Sequence, residues 1–359
     1  MRIVQLIDSL EAGGAERMSV NYANALVSEI EFSGLVATRK EGPLVSQLDP
    51  GIGYLFLNRK SILDVAALLR LRNFVRKNKV TIVHAHGTSF FMGVLLQLIN
   101  PNLKLVWHDH YGNSEFLNER PSLLLRVSTL FFIGIITVNE TLKSWSKEKL
   151  KSKNCIYLPN FYFEEKTEKK ETFLKGTAGK RIVCLANLRP QKNHGLLVEL
   201  AKILKVHHPD WSFHLVGKDW NDAYSLQIKN EIKTSGLEEH VFLYGGQNDI
   251  SNILEQSTIG ILTSKSEGLP VALLEYGRHK KPVIVTAVGE LPFVIQNGVQ
   301  GYLVPSQDIT SFYTALEALI HDQQKQIDFG SALHQKVLQD FSAATVLKKY
   351  INWLENSSI

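Results

Sequence analysis

Two glutamates set the chemical problem: Glu267 and Glu275 stand eight positions apart in the run SEGLPVALLEYG, residues 266–277. Ionised carboxylates accept charge-assisted hydrogen bonds from neighbouring hydroxyls, the groups that a ribose and a hexose both offer. Between them, Pro270 suits the start of a helix, where its fixed φ and missing N–H cost nothing. The free backbone N–H groups of that first turn, together with the helix dipole, would attract an anion. Eight residues rise at most about 12 Å along a helix, roughly the span of a nucleotide diphosphate sugar. One ligand with hydroxyls at both ends and phosphates in the middle would fit. The elements that must hold it are a buried strand, TIGILTS (258–264), and a helix from Leu269 onward. Taken alone, two glutamates at helical spacing are just as readily a solvated helix face.

Other residues of chemical type stand at strand ends. VTIVHAHG (80–87) ends in His84 and His86, and KLVWHDHYG (104–112) in His108, Asp109 and His110. By type, four histidines are a metal-ligand set; an imidazole there can equally hydrogen-bond a substrate hydroxyl or sit satisfied in the core. A one-residue ambiguity in strand register leaves open which of His108 and His110 is presented. After the first strand, MRIVQLI, the loop carries Gly13 and Gly14, then Glu16 and Arg17. Glycines let the backbone approach a ligand closely; their spacing is not the dinucleotide fingerprint, and a tight turn with a surface Glu-Arg pair is the plainer alternative.

Strands alternating with helices predict an α/β chain of parallel sheets. With 359 residues there is length for two domains, each with its own core. CIYLPNF (155–161) closes the first domain, 1–162; the polar, charged stretch 163–180 reads as a linker, and RIVCLANL (181–188) opens a second domain, 181–340. Residues 61–79 read as an amphipathic helix with Leu63, Ala66, Leu69, Phe74 and Val75 inward. Hydrophobic content of 44% with 21% charged residues excludes disorder as the default. Cys155 and Cys184 match no metal or redox spacing, which fits a reducing, cytoplasmic setting. The start of the chain reads as a strand and not as a signal peptide. The most apolar window, 123–138, has 16 residues and includes Arg126, too short and too charged to span a membrane. The +5 net charge is uneven: residues 1–162 carry 19 lysines and arginines against 13 acidic residues, a net of +6, and residues 163–359 a net of −1. Such a basic half fits an anionic membrane surface or a phosphorylated acceptor. No aromatics interleave with the basic runs, so nucleic acid is not expected as a partner.

The Glu267 to Glu275 spacing with Gly268, Leu269 and Pro270 after the first glutamate resembles the donor-site signature of the retaining GT-B glycosyltransferases of family 4, the group 1 family. GGAER (13–17), the histidines at 84–86, Arg189 and Lys192 in the loop after RIVCLANL, and Asn297-Gly298 followed by GYLVP (301–305) occur in that family's order. The resemblance implies two Rossmann-like parallel-sheet domains facing across a cleft, with the last helix, about 341–359, packing back on the first. It implies retaining transfer of a sugar from a nucleotide-sugar, UDP-sugar favoured, to a hydroxyl of a glycan or lipid-linked glycan in cell-surface polysaccharide synthesis. Glu267, Arg189, Lys192 and His110 would carry the chemistry. Gly13, Gly14, Arg189, Lys192, Gly217, Tyr244, Gly268, Leu269, Pro270 and Glu275 would bind the donor, and His86, His108 and Arg17 would lie on the acceptor side. Arg189 and Lys192 suit a leaving diphosphate whose charge grows as the glycosidic bond breaks. No metal and no cofactor are expected, since cationic side chains and a helix terminus take their place. The expected location is cytoplasmic, at the inner face of the membrane. A nucleotide-sugar epimerase and a non-catalytic partner subunit are the rival readings. One departure stands out: the family pattern has Gly-Gly and then a glutamate, where this chain has Gly289-Glu290 and Phe293. Glu290 beside a diphosphate would be unfavourable, so it either turns away or meets a sugar hydroxyl.

Overall fold

A computed structural model describes residues 1–11, 13–112, 114–163 and 170–357. The chain divides into two compact units, Met1–Glu164 with Phe341–Ile359, and Glu165–Asp340. The first unit runs β1 (Arg2–Ser9), α1 (Gly14–Leu26), β2 (Phe32–Lys40), β3 (Gly53–Phe56), α2 (Val65–Lys77), β4 (Ile82–His86), α3 (Phe90–Leu98), β5 (Lys104–Asp109), α4 (Leu123–Ser128), β6 (Phe132–Thr137), α5 (Glu140–Lys149) and β7 (Cys155–Tyr157). The second runs β8 (Arg181–Leu185), α6 (His194–His207), β9 (Ser212–Val216), α7 (Ala223–Thr234), β10 (Val241–Gly245), α8 (Ile250–Glu255), β11 (Ile259–Leu262), α9 (Val271–Arg278), β12 (Val283–Thr286), α10 (Leu291–Val294), β13 (Tyr302–Val304), α11 (Ile309–Ile320) and α12 (Gln323–Asp340). Then α13 (Ala343–Asn356) returns to the first unit.

Among the described residues the first unit holds a seven-stranded parallel sheet in the order β3-β2-β1-β4-β5-β6-β7. The chain reverses direction across the sheet between β1 and β4, and the carboxyl ends of such strands are where doubly wound sheets take ligands. The period-two alternation of strands sorts the residues. Val4, Leu6, Val83, Ala85, Leu105 and Trp107 join one core with Ala67, Leu71 and Val75 of α2. Gln5, His84, His86 and His108, all buried, stand at the alternate positions of the same strands. Their rings pack with Tyr22 of α1 and Tyr350 of α13. His108 and His110 are two residues apart and therefore share a face, which removes the choice between them: His108 lies inside the strand and His110 just past its end. Further along α13, Trp353 Nε1 donates to Asn154 Oδ1 at 2.8 Å, fastening that helix beside β7.

Two expectations need correction. The helix placed at 61–79 starts at Val65, because the Asp64 side chain accepts from the Ala67 N–H at 2.9 Å and caps it there. Its buried stripe is Ala67, Leu71 and Val75 at four-residue spacing, so Leu63 and Leu69 are exposed, at 68% and 47%. The stretch 163–180 is not a free linker from residue 170 on. Asp249 accepts from the N–H of Glu171 and Thr172 at 2.9 and 2.7 Å and from the Thr172 hydroxyl at 2.7 Å, while Asn252 and Gln256 donate to the Thr172 carbonyl. With Thr172 and Leu174 buried, this segment belongs to the second unit; the part of that stretch at 164–169 lies outside the described residues.

Among the described residues the second unit's sheet is six-stranded and parallel in the order β10-β9-β8-β11-β12-β13, with its reversal between β8 and β11. The α9 helix begins one residue after Pro270, and Leu269, expected inside the helix, is a buried core residue before it. Both cysteines are free, and burial pushes the Cys155 thiol up to about 11 and Cys184 to about 12, which leaves them unreactive. No helix of the described residues is long and apolar enough to cross a membrane.

Candidate functional site

The carboxyl ends of β8 and β11 bring the sequence candidates of the second unit together. After β8, Arg189 leads into the single turn Pro190–Lys192. Two bonds from the segment after β11 hold that turn: the Thr263 hydroxyl donates to the Lys192 carbonyl at 2.9 Å, and the Lys265 N–H to the Gln191 carbonyl at 2.8 Å. Lys192 Nζ then reaches both oxygens of Glu267, at 2.6 and 2.7 Å. Ser264 donates to the same carboxylate at 2.6 Å. The carboxylate is 5% exposed, and its cation is the more accessible partner. An ammonium so held is a preformed point charge, rigid enough to meet growing negative charge without reorganisation.

The loop after β12 closes on this pair. Gly289 has φ +55, and a Cβ there would collide with the Glu267 carbonyl oxygen, so only glycine allows this approach. The departure seen in the sequence therefore lies against the key glutamate. Glu290 follows at the cap of α10 and is buried, whereas Phe293 is 75% exposed. On α9, Glu275 is half-buried with Arg278 4.0 Å away. Gly268 and Pro270 lie in the connection between Glu267 and α9.

Arg189 is exposed, its guanidinium 4.5 Å from the Trp220 ring centroid, and Lys218 Nζ lies 5.3 Å from the same ring. Sequence reasoning missed Lys218, Trp220 and Ser264. The signal was present in Gly217-Lys218-Asp219-Trp220, a cation and an indole just past a strand end. Gly217 has an internal reason, since a Cβ would strike the Ala186 carbonyl. Tyr244 spends its hydroxyl inside the unit, 3.0 Å from both the Lys175 N–H and His214 Nδ1, tying the incoming segment to β10 and β9.

In the first unit, the N-terminus of α1 carries Gly13 and Gly14. Neither has a positive φ; a Cβ on Gly14 would meet nothing within 4 Å, and one on Gly13 only the flexible Glu16 side chain. The unit itself thus gives no steric reason for either glycine. Arg17 donates to Gln47 Oε1 at 2.8 Å, which directs it along the short 3-10 helix Pro43–Gln47. At the end of β1, which the sequence reading passed over, Asp8 accepts from Thr38 and Thr88, each at 2.6 Å, with the buried Arg59 at 3.6 Å. Asp109 is bound by both arms of Arg120, at 2.6 and 2.9 Å, and Arg120 lies over Tyr111 and Trp145.

The four histidines form two strings. His84 bridges the Tyr350 hydroxyl at 3.0 Å and His108 Nδ1 at 3.2 Å; His86 bridges Gln5 Oε1 at 2.8 Å and His110 Nε2 at 2.9 Å. Nitrogens of His84, His86 and His108 all lie within 4.8 Å of one another; a hydrogen bond joins His84 to His108, and the His86 ring stacks on His84 with 4.3 Å between centroids. Burial holds His84, His86 and His108 well below the usual histidine value and His110 down to about 3, so all four are neutral.

Residues 12–166 match the family model described as Glycosyltransferase Family 4, and residues 164–336 the one described as Glycosyl transferases group 1. Along 98% of this chain and 97% of the relative, the sequence is 25% identical to the UDP-Gal:alpha-D-GlcNAc-diphosphoundecaprenol alpha-1,3-galactosyltransferase of Escherichia coli. It is 24% identical to an uncharacterized glycosyltransferase of Haemophilus influenzae, covering 94% of this chain and 95% of that one. Among solved structures, Anabaena HepE in complex with UDP and glucose superposes with a TM-score of 0.78 at 15% identity, over 99% of this chain and 100% of that one.

Proposed function

The chain belongs to glycosyltransferase family 4, the group 1 glycosyl transferases, with the two-sheet GT-B fold, and on that premise we propose that it transfers a sugar from a UDP-sugar to a hydroxyl of a glycan or lipid-linked glycan with retention of the anomeric configuration. The observation that carries the reading is Lys192 locked on Glu267 at the ends of β8 and β11, with Arg189 beside it. Arg189 and Lys192 take the diphosphate, Glu275 the ribose, and Glu267 with the backbone of 268–270 the donor sugar. As the donor's C1–O bond to phosphate breaks, the acceptor oxygen bonds C1 on the same face and its proton passes to the departing phosphate oxygen. UDP leaves, and Arg189 and Lys192 stabilise its charge. Gly13, Gly14 and Arg17 serve the phosphate or acceptor side. The UDP and glucose bound by HepE and the UDP-Gal donor of the E. coli relative favour uridine.

Titration calorimetry with UDP, GDP and ADP is the test. UDP is expected to bind most tightly, and Glu275→Ala to weaken it by about 1–3 kcal/mol, the loss of a charged hydrogen-bond acceptor. Binding of none of the three, or an unchanged affinity in the variant, would sink this assignment of the second unit.

The acceptor we infer is lipid-linked, met at the inner face of a membrane. The first half carries the positive charge, and Leu123, Leu124 and Leu130 stand exposed around Arg126. Flotation with anionic phospholipid vesicles is expected at low salt and to fade at high salt; a protein that stays at the bottom of the gradient under both conditions refutes it.

A further inference from the structure

Gln5 is a buried amide in the middle of β1, and it settles a proton two side chains away. Its Oε1 lies 2.8 Å from His86 Nε2, and an amide oxygen can only accept, so the shared proton sits on His86 Nε2. A neutral imidazole carries one N–H, which leaves His86 Nδ1 as a bare lone pair. That nitrogen is 2.9 Å from His110 Nε2, so the proton between them belongs to His110 Nε2. His110 is neutral as well, because burial lowers it to about 3. Its Nδ1 is then a lone pair, and among the described residues no hydrogen bond occupies it. His110 is half-buried just beyond the carboxyl end of β5, the end at which such sheets meet ligands.

We propose that Gln5 is a positioning residue which, through His86, fixes His110 in the Nε2–H tautomer so that His110 Nδ1 accepts a hydrogen bond from a hydroxyl of the sugar substrate. The inference rests on the reading of the chain as a sugar transferase in which His110 meets substrate. It concerns an acceptor with a lone pair: with the opposite tautomer His110 would present an N–H, and a hydroxyl could bind there only through its oxygen. Gln5 touches no substrate in this scheme, and neither does His86.

The test is long-range proton–nitrogen NMR on the full chain labelled with 15N-histidine, with His110→Asn identifying the His110 signals. Their shifts report which ring nitrogen carries the proton. Wild type is expected to show His110 protonated at Nε2 and bare at Nδ1. Gln5→Leu, which removes the acceptor, should move His110 to a mixture of tautomers and lower kcat by about tenfold or more at unchanged donor KM. Gln5→Glu puts a carboxylate against His86, which lets that ring hold a second proton and donate from Nδ1, and should turn His110 to the Nδ1–H tautomer and lower turnover as well. A wild-type His110 protonated at Nδ1, or one whose tautomer ignores Gln5→Leu, overturns the relay; should Gln5→Leu fail to fold, the wild-type spectrum and Gln5→Glu still decide. A tautomer change with turnover intact overturns the role of His110 on substrate. Neither result touches UDP binding by the second unit, which calorimetry reads separately.

Discussion

Lys192→Met is expected to slow sugar transfer by about 100- to 1,000-fold, the cost of removing one preorganised donor aimed at developing negative charge. The change also strands Glu267, a 5% exposed carboxylate whose ammonium partner lies 2.6 Å away. Breaking a buried pair from one side destabilises by about 3–5 kcal/mol, so lost rate and lost fold must be separated. The double variant Lys192→Met, Glu267→Gln removes both charges together and leaves Ser264 a partner. It is expected to recover most of the stability in urea unfolding and none of the single-turnover rate. If the double variant regains the rate, the pair only holds the two loops together, and the positive charge acting on the leaving group has to be sought at Arg189 and Lys218.

Acid is expected to unfold the first unit over a narrow range. His84, His86, His108 and His110 are all neutral in the folded chain because burial lowers their affinity for protons, His110 to about 3. In the unfolded chain each titrates near the ordinary value of about 6.5. Between those limits the unfolded state binds more protons, so stability falls as pH falls. Each histidine contributes about 1.4 kcal/mol per pH unit, and four together about 5 kcal/mol between pH 6 and 5. That rivals the whole stability of an ordinary domain, about 5–15 kcal/mol. Gln5, Tyr22 and Tyr350, which face the cluster, bring no ionised group to soften the penalty. Urea midpoints at pH 7.5, 6.5 and 5.5, followed by hydrogen exchange of peptides from 80–112, give the check. Flat midpoints across that series would mean that the imidazoles are hydrated or already charged.

The strands were legible because buried parallel strands are continuous apolar runs, and TIGILTS, RIVCLANL and VTIVHAHG lie where β11, β8 and β4 formed. The glutamate run was legible because its proline and spacing are local properties. What sequence could not give were pairings across long separations. Asp249 recruits residues 171 and 172 from some 77 positions away, turning a polar stretch that looks like a tether into part of the second unit. Arg189 and Trp220 meet for the same reason. The helix after residue 64 failed differently: several stripes of apolar residues compete along it, and the Asp64 cap together with the core behind Leu71 selects one of them. The Gly289-Glu290 departure was visible as an oddity of pattern; the reason Gly289 itself must be glycine was not, since it is a contact with the Glu267 backbone.

The first unit is not contiguous in the chain. Val346, Tyr350 and Leu354 of α13 are buried in it, and Tyr350 completes the string that begins at His84. During synthesis, about 180 residues must follow Glu164 before that helix is made, roughly 10–35 s at ribosomal speed. Throughout that interval the nascent sheet carries an uncovered face of Tyr22 and neutral histidines, while the second unit, complete by Asp340, has everything its own core needs. The half that is translated first is therefore the half that matures last, and a ribosome that stalls before residue 343 releases a chain whose later portion is folded and whose earlier portion waits for a chaperone or a protease.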